Sequence, residues 1–182
     1  LAAGGTDTVF SMINYTITDT VEHLTLNGPA SVNGTGNLLA NQIIGNAGDN
    51  YLSGMAGNDS LTGAAGNDTL DGGDGLDQLF GQDGDDTLLG GAGYDMLEGG
   101  QGSDSMDGGA WDDRFVIRDG ETGADTVVGG SEVDTLEVSR TDGWQYTYSS
   151  GQGAGTGAAP GNAASVTFSG VEQVIAGSGN DL

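Results

Sequence analysis

GNAGDNYLS GMAGNDSLT GAAGNDTLD GGDGLDQLF GQDGDDTLL GGAGYDMLE GGQGSDSMD GGAWDDRFV, residues 45–116, runs through versions of one nine-residue pattern, G-G-x-G-x-D-x-U-x, with U a large apolar residue. The sixth position carries Asp59, Asp68, Asp77, Asp86, Asp95, Asp104 and Asp113, with Asn50 at the degraded leading end. The eighth carries Leu52, Leu61, Leu70, Leu79, Leu88, Leu97, Met106 and Phe115. One apolar residue between largely polar neighbours predicts a three-residue strand with one inward side chain. Glycines at positions one, two and four open backbone angles closed to other residues, so a six-residue loop can turn sharply and aim its carbonyls inward. Two nonads then make one coil of an all-β parallel roll, with a row of loops along each side.

Stacking decides the ligand. Successive coils repeat at the strand spacing of about 4.8 Å, so Asp59, Asp77, Asp95 and Asp113 line up in one column and Asp68, Asp86 and Asp104 in the other. At an effective dielectric near 20, each neighbouring pair of carboxylates repels by roughly 3 kcal/mol. One inward leucine per nonad is too little apolar burial to offset that repulsion together with the cost of ordering a glycine-rich chain. The array must therefore fold on a metal. A flexible cage of carboxylate and carbonyl oxygens suits calcium, whereas magnesium demands tighter octahedral geometry and keeps its waters. With no Cys and only His23, softer metals lack ligands.

Composition agrees. The formal net charge is -24, with Arg114, Arg118 and Arg140 as the basic residues and no lysine, which excludes nucleic acid and anionic membrane surfaces as partners. A generally acidic or disordered chain would not place its Asp at a fixed period. Glycine, 37 of 182 residues, would elsewhere suggest a linker, and the periodicity removes that reading for residues 45–116. No disulfide framework is available, so calcium takes the stapling role. No apolar run is long enough to insert in a bilayer and no signal segment opens the sequence, which reads as an internal fragment.

The flanks point to a tandem module. Strand-like stretches run from Asp7 to Ile17 and through VEHLTLNG at Val21 to Gly28; near the other end come WQYTYSS, VTFSG and VEQVIAG at Val171 to Gly177. The two V-E-x-[LV] segments read as the same element in consecutive modules of about 150 residues. GETGADTVV and GGSEVDTLE, from Gly120 and Gly129, keep Asp125 and Asp134 at position six. Extra residues near Ile117 to Asp119 predict a bulged coil, after which the solenoid resumes. The division expected is 1–31, a strand segment leading into the array; 32–116, the nonapeptide roll; 117–140, an irregular continuation; 141–176, a β-rich segment with a mobile Gly/Ala loop at 151–164; and 177–182, the start of the next array.

The pattern resembles that of secreted RTX (repeats-in-toxin) proteins, which carry the hemolysin-type calcium-binding repeat. GADTVVGGSEVDTLEVS is similar to the segment following the repeats in serralysin-type proteins, and VEHLTLNG and VEQVIAG to elements preceding repeats in very large bacterial exoproteins. The resemblance implies a right-handed parallel β-roll, a calcium-binding β-solenoid, with flanking strand segments. It also implies ion positions between loops of successive coils on the same side. The first loop gives carbonyls from positions two and four plus its Asp, and the second gives carbonyls from positions one and three plus its Asp. One site would use Met55, Gly57 and Asp59 with Gly72, Asp74 and Asp77. The next would use Gly73, Gly75 and Asp77 with Gly90, Ala92 and Asp95, followed by Gly91, Gly93 and Asp95 with Gly108, Ala110 and Asp113. On the opposite side Ala64, Gly66 and Asp68 pair with Gly81, Asp83 and Asp86, then Gln82, Gly84 and Asp86 with Gly99, Gln101 and Asp104. Five or more Ca2+ ions are expected.

Departures from the pattern mark weaker sites. Asn50 offers a neutral oxygen opposite Asp68, and Asn41, in GNLLANQII, is at best a marginal ligand. Trp111 replaces the fourth-position glycine and puts the Asp113 to Asp134 coupling in doubt; the inserted residues do the same for Asp104 with Asp125.

Catalysis finds no support: HExxH, G-x-S-x-G and cysteine are all absent. His23, in a strand-like run, reads as structural or surface. The function expected is a non-catalytic calcium-binding module that folds outside the cell, part of a large bacterial protein that the resemblance implies is exported by a type I system. Its partners would be calcium and neighbouring modules of the same chain. The alternatives are a structural or adhesive repeat of a surface-layer or adhesin protein, with a polysaccharide or cell surface as partner, and an accessory module of a secreted protease, lipase or epimerase. For polysaccharide the candidates are Trp144, Tyr146 and Tyr148.

Overall fold

The leucine ladder builds the molecule. In the computed structural model, which describes residues 5–118, 120–139, 145–149, 154–158 and 165–176, strands alternate between two sheets that share one core. One sheet runs Thr8–Ser11, His23–Leu26, Gln42–Ile44, Ser60–Ala65, Gln78–Asp83, Met96–Gln101, Arg114–Arg118, Thr135–Ser139 and Gln173–Ala176, all parallel. The other runs Tyr15–Thr16, Gly34–Thr35, Tyr51–Ala56, Thr69–Asp74, Thr87–Ala92, Ser105–Ala110, Ala124–Gly130 and Ser165–Ser169, also parallel. This is a parallel β-solenoid. Because pairing joins residues one coil apart, apolar residues stack on their own kind: Ile43 on Leu61, Leu61 on Leu79, Leu79 on Leu97, Leu97 on Phe115. Leu52, Leu70, Leu88, Met106 and Val127 form the facing stack, and all of these side chains are fully buried.

Strands in the array are longer than the period-two reading of the sequence predicts. Each strand spans six residues, positions seven to nine and one to three, as in Thr69–Asp74, and the loop shrinks to three. Position one drops out of the pairing: Leu89 pairs with Asp107 and Gly91 with Gly109, while Gly90 is skipped. The chain bends there, and a left-handed residue at position two restores alignment with the next coil. Gly73 (φ 100°) and Gly91 (φ 111°) take this conformation without a steric cost, but Met55 (φ 79°), Ala64 (φ 91°) and Gln82 (φ 82°) adopt it as well, at about 1 kcal/mol each or more.

The regular coil advances 18 residues, as from Leu52 to Leu70. At the insertion the offset becomes 21, Ser105 pairing with Thr126 and Arg114 with Thr135, and both ladders continue beyond it. The Gly/Ala-rich stretch is not loop throughout. Ala154–Ala158 is a strand, antiparallel to both Gln145–Ser149 and Ser165–Ser169, its pairing supplied by those β-rich neighbours against its own low strand preference. The remainder of that stretch, together with Trp144 and residues 177–182, lies outside the described residues. Two of the arginines bridge coils on the outer face, Arg114 to Glu137 and Arg118 to Glu98.

Candidate metal centre

Each position-six carboxylate sits in the three-residue loop just before its strand, and each is buried, with Asp59, Asp68, Asp77, Asp86, Asp95, Asp104 and Asp113 no more than 3% exposed. Oδ1 of each accepts the backbone N–H of the residue one coil earlier: Asp59 N–H donates to Asp77, Asp77 to Asp95 and Asp95 to Asp113 at 2.7 to 2.9 Å, and Asp68 to Asp86 and Asp86 to Asp104 at 2.7 and 2.8 Å. The column runs on through both irregularities. Asp104 N–H reaches Asp125 at 3.1 Å and Asp113 N–H reaches Asp134 at 2.8 Å. Trp111 does not interrupt it because it takes the left-handed backbone (φ 87°) of the glycine it replaces, and its N–H donates to Glu132.

The second oxygen is the informative one. Oδ2 of Asp59, Asp68, Asp77, Asp86, Asp95, Asp104, Asp113 and Asp134 is buried with no protein hydrogen-bond partner. A buried carboxylate oxygen left this way is costly unless something positive faces it. Carbonyls converge on the same places. A Cβ added to Gly54 would lie 2.3 Å from Asp59 Oδ2 and 2.7 Å from the Gly72 carbonyl oxygen, and a Cβ on Gly63 would lie 2.3 Å from Asp68 Oδ2 and 2.9 Å from Gly81 O. The same construction brings together Asp77 with Gly90, Asp86 with Gly99, and Asp95 with Gly108. These are the position-six and position-one oxygens anticipated for the five sites. Only glycine leaves that space open.

The other backbone donors are arranged less simply. The third-position carbonyls of Asp74, Asp83, Ala92, Gln101 and Ala110 already accept an N–H from the preceding coil, from Gly57, Gly66, Gly75, Gly84 and Gly93 respectively, leaving one lone pair each. The second-position residues Met55, Ala64, Gly73, Gln82 and Gly91, and the fourth-position Gly57, Gly66, Gly75, Gly84 and Gly93, all hold positive φ. No group of three or more His, Cys, Asp or Glu side chains arranged to hold a metal occurs among the described residues. An ion here would take its charge from carboxylates on successive coils and the rest of its shell from carbonyls, a donor set for a hard cation.

Burial also sets the protonation. It pushes the carboxyl groups of Asp59, Asp68 and Asp95 up to about 6 and those of Asp86 and Asp113 up to about 7, partly offset by the donated N–H; a neighbouring carboxylate adds to the rise, for Asp86 those of Asp104 and Asp68. Asp77, Asp104 and Asp134 are raised for the same first reason. Glu121, just after the insertion, is buried near Glu98, Asp125 and Asp104 and raised to about 8, mainly by burial.

At the leading end the same backbone carries amides. Asn50 Oδ1 lies 2.5 Å from the point a Gly45 Cβ would take, the place of the lone Asp oxygen in later coils, but here it accepts Asn46 N–H at 2.8 Å. Asn50 Nδ2 donates to Val32 O at 2.7 Å and to Asn46 Oδ1 at 3.1 Å, and Asn46 Nδ2 donates to Ala30 O at 2.9 Å. The preceding nonad, on the opposite side, repeats this with Asn37 and Asn41: Asn41 Oδ1 accepts Asn37 N–H, and Asn37 Nδ2 donates to Thr18 O and Val21 O at 2.8 and 2.9 Å. Backbone N–H on one side and carbonyls on the other fix each amide's orientation. The second-position Asn37 and Asn46 escape a reading centred on position six; the signal was Asn at both positions of the same nonad. His23 hydrogen-bonds Gln42 across neighbouring strands.

Comparison with known families fits this geometry. Residues 35–70, 44–79, 80–115 and 119–137, together more than half of the chain, match the RTX calcium-binding nonapeptide repeat. No curated protein matches the chain.

Proposed function

The chain belongs to the RTX calcium-binding nonapeptide repeat family, a non-catalytic structural module, and on that premise we propose that it folds on calcium outside the cell as one module of a large secreted bacterial protein. The observation carrying this is the row of buried Asp oxygens that nothing in the protein satisfies. We assign about five ions to two rows: Asp59 with Asp77, Asp77 with Asp95 and Asp95 with Asp113 on one side, Asp68 with Asp86 and Asp86 with Asp104 on the other, completed by the carbonyls described above. Further ions at Asp104 with Asp125 and Asp113 with Asp134 follow from the continued columns. We leave Asn50 and Asn41 out of the ligand set, since Asn50 Nδ2 already donates to Val32 O and Asn41 Nδ2 faces Val21 O and Glu22 O of the preceding coil.

Disorder at low calcium and folding at the millimolar levels typical of extracellular modules suit export as an unfolded chain through a type I system. One observation favours an extended structural protein over an accessory module of an enzyme. Glu22 accepts Asp7 N–H at 2.9 Å and Glu172 accepts Asp134 N–H at 2.8 Å, each beside an equivalent strand pairing, Thr8 with His23 and Thr135 with Gln173. The recurrence supports a tandem repeat of about 150 residues, within the usual size of a domain. A crystal structure in calcium tests the assignment: ions in two rows within residues 54–113 are expected, and empty loops there would overturn it.

A further inference from the structure

Asp134 is the last aspartate of the matched nonapeptide repeats, but the column runs beyond it. Asp134 is fully buried; its Oδ1 accepts Asp113 N–H at 2.8 Å, and its Oδ2 has no protein partner. The residue stacked on it comes from 38 positions further on: Glu172 Oε2 accepts Asp134 N–H at 2.8 Å, and the N–H groups of Glu172 and Gln173 both donate to the Asp134 carbonyl, at 3.1 and 3.0 Å. A carbonyl converges here as well. A Cβ added to Gly129 would lie 2.5 Å from Asp134 Oδ2 and 2.1 Å from the Gly170 oxygen, as one on Gly72 would lie 2.5 Å from Asp77 Oδ2 and 2.6 Å from Gly90 O. Gly170 therefore stands where the first glycine of a next nonad would stand, and Glu172 where its aspartate would.

The spacing differs from that of a nonad. In a nonad the carbonyl residue and the acid are separated as Gly90 and Asp95 are, whereas Gly170 and Glu172 have one residue between them. The shorter loop still brings its backbone onto the Asp134 carbonyl, and the glutamate side chain reaches the Asp134 N–H. Gly170 makes the turn with a left-handed backbone (φ 68°).

We propose that Asp134 Oδ2, the Gly170 carbonyl and the Glu172 carboxylate form a further calcium site, outside the nonapeptide repeat, that extends this column beyond Asp134. It rests on the reading that the Asp columns bind calcium. Glu172→Gln separates it from a purely structural role, because the amide keeps an oxygen for Asp134 N–H and loses the charge. By calcium titration calorimetry on the full chain, E172Q should bind one ion fewer than the parent, with the remaining ions unchanged. Anomalous scattering from terbium-soaked crystals of the parent should show a peak within about 2.3–2.6 Å of Glu172 and Asp134 oxygens. Equal stoichiometry in E172Q, or no peak at Glu172 beside filled sites at residues 54–113, overturns the proposal. A parent chain that binds no calcium at all would instead refute the underlying reading.

Discussion

Residues 36–50 and residues 54–113 are built on one backbone plan and close it in opposite ways. In both, a glycine at position one makes room for an oxygen from position six and a carbonyl from the next coil, Gly63 O beside Asn50 and Gly72 O beside Asp59. At the leading end that oxygen belongs to an amide whose partner nitrogen donates to the coil before, so every polar atom of Asn50 finds a partner inside the chain. In the array it belongs to a carboxylate, one oxygen of which has none. Replacing one oxygen by NH2, and supplying a second Asn at position two, converts a coil that needs a cation into one that satisfies itself. On the proposed function this leading segment would offer a formed edge on which calcium orders the rest, in keeping with the nearest-neighbour energetics of solenoids.

The comparison breaks most visibly in the middle of a column. On the proposed assignment Asp77→Ala removes a ligand shared by two ions, whereas Asp59, whose preceding neighbour is the amide-closed Asn41, serves one. At calcium a hundredfold above the dissociation constant each ion contributes about 2.7 kcal/mol, so Asp77→Ala should lose roughly 5 kcal/mol and Asp59→Ala about half of that. Urea unfolding at fixed calcium reads the difference. Equal losses would count against shared ligands.

A swap at the boundary sharpens it. Asn50→Asp strips the donor from Val32 O and Asn46 Oδ1 and adds a buried charge, so in chelator it should destabilise residues 15–50 by about 1–3 kcal/mol, and calcium should restore the loss. Residue-resolved hydrogen exchange with and without calcium measures both. Protection unaffected by the variant in chelator would show that the amides close nothing.

Acid should act on one region and spare the other. The folded carboxyl groups of Asp86 and Asp113 lie near 7 and those of Asp59, Asp68 and Asp95 near 6, above the unfolded value of about 3.9, so the calcium-free folded state binds more protons than the unfolded one. Stability of the calcium-free array therefore falls as pH rises from about 4 to 7 and is regained on acidification. In chelator, circular dichroism at pH 5 should show more β-structure than at pH 7.5, with exchange protection gained at residues 54–113 rather than 36–50. Protons and calcium compete for the same oxygens, so calcium affinity should fall over the same interval. Order lost on acidification would contradict the cause assigned to these shifts.

The smallest effect lies on the outer face. Arg118→Ala removes an ion pair on the outer face with Glu98 and should cost no more than about 1 kcal/mol by thermal melting in saturating calcium, with calcium affinity unchanged. A larger loss, or weaker calcium binding, would tie that pair to the metal columns.

Much of this was legible in the sequence because a fixed period leaves few choices. Gly, Asp and Leu at constant spacing determine coil length, the facing apolar stacks and the carboxylate columns, and the three-residue insertion announced the wider coil between Arg114 and Thr135. Strand length was not legible, since it depends on whether position two returns to the ladder after the bend; Met55 and Gln82 do so in a conformation their side chains disfavour. The strand Ala154–Ala158 was hidden as well, because small residues carry no alternation and its pairing is supplied by neighbours. Glu172 stacks on Asp134 through a contact 38 residues long, beyond the reach of any local pattern.

The central claim is that the buried Asp columns fold on calcium. Its most direct test is a calcium titration of the full chain from excess chelator, followed by far-ultraviolet circular dichroism with bound calcium counted in parallel. A cooperative gain of β-structure is expected, half complete near 0.1–1 mM calcium as for extracellular modules, with about five or more ions bound at the plateau. A β-type spectrum already complete in chelator and unmoved by calcium would contradict it.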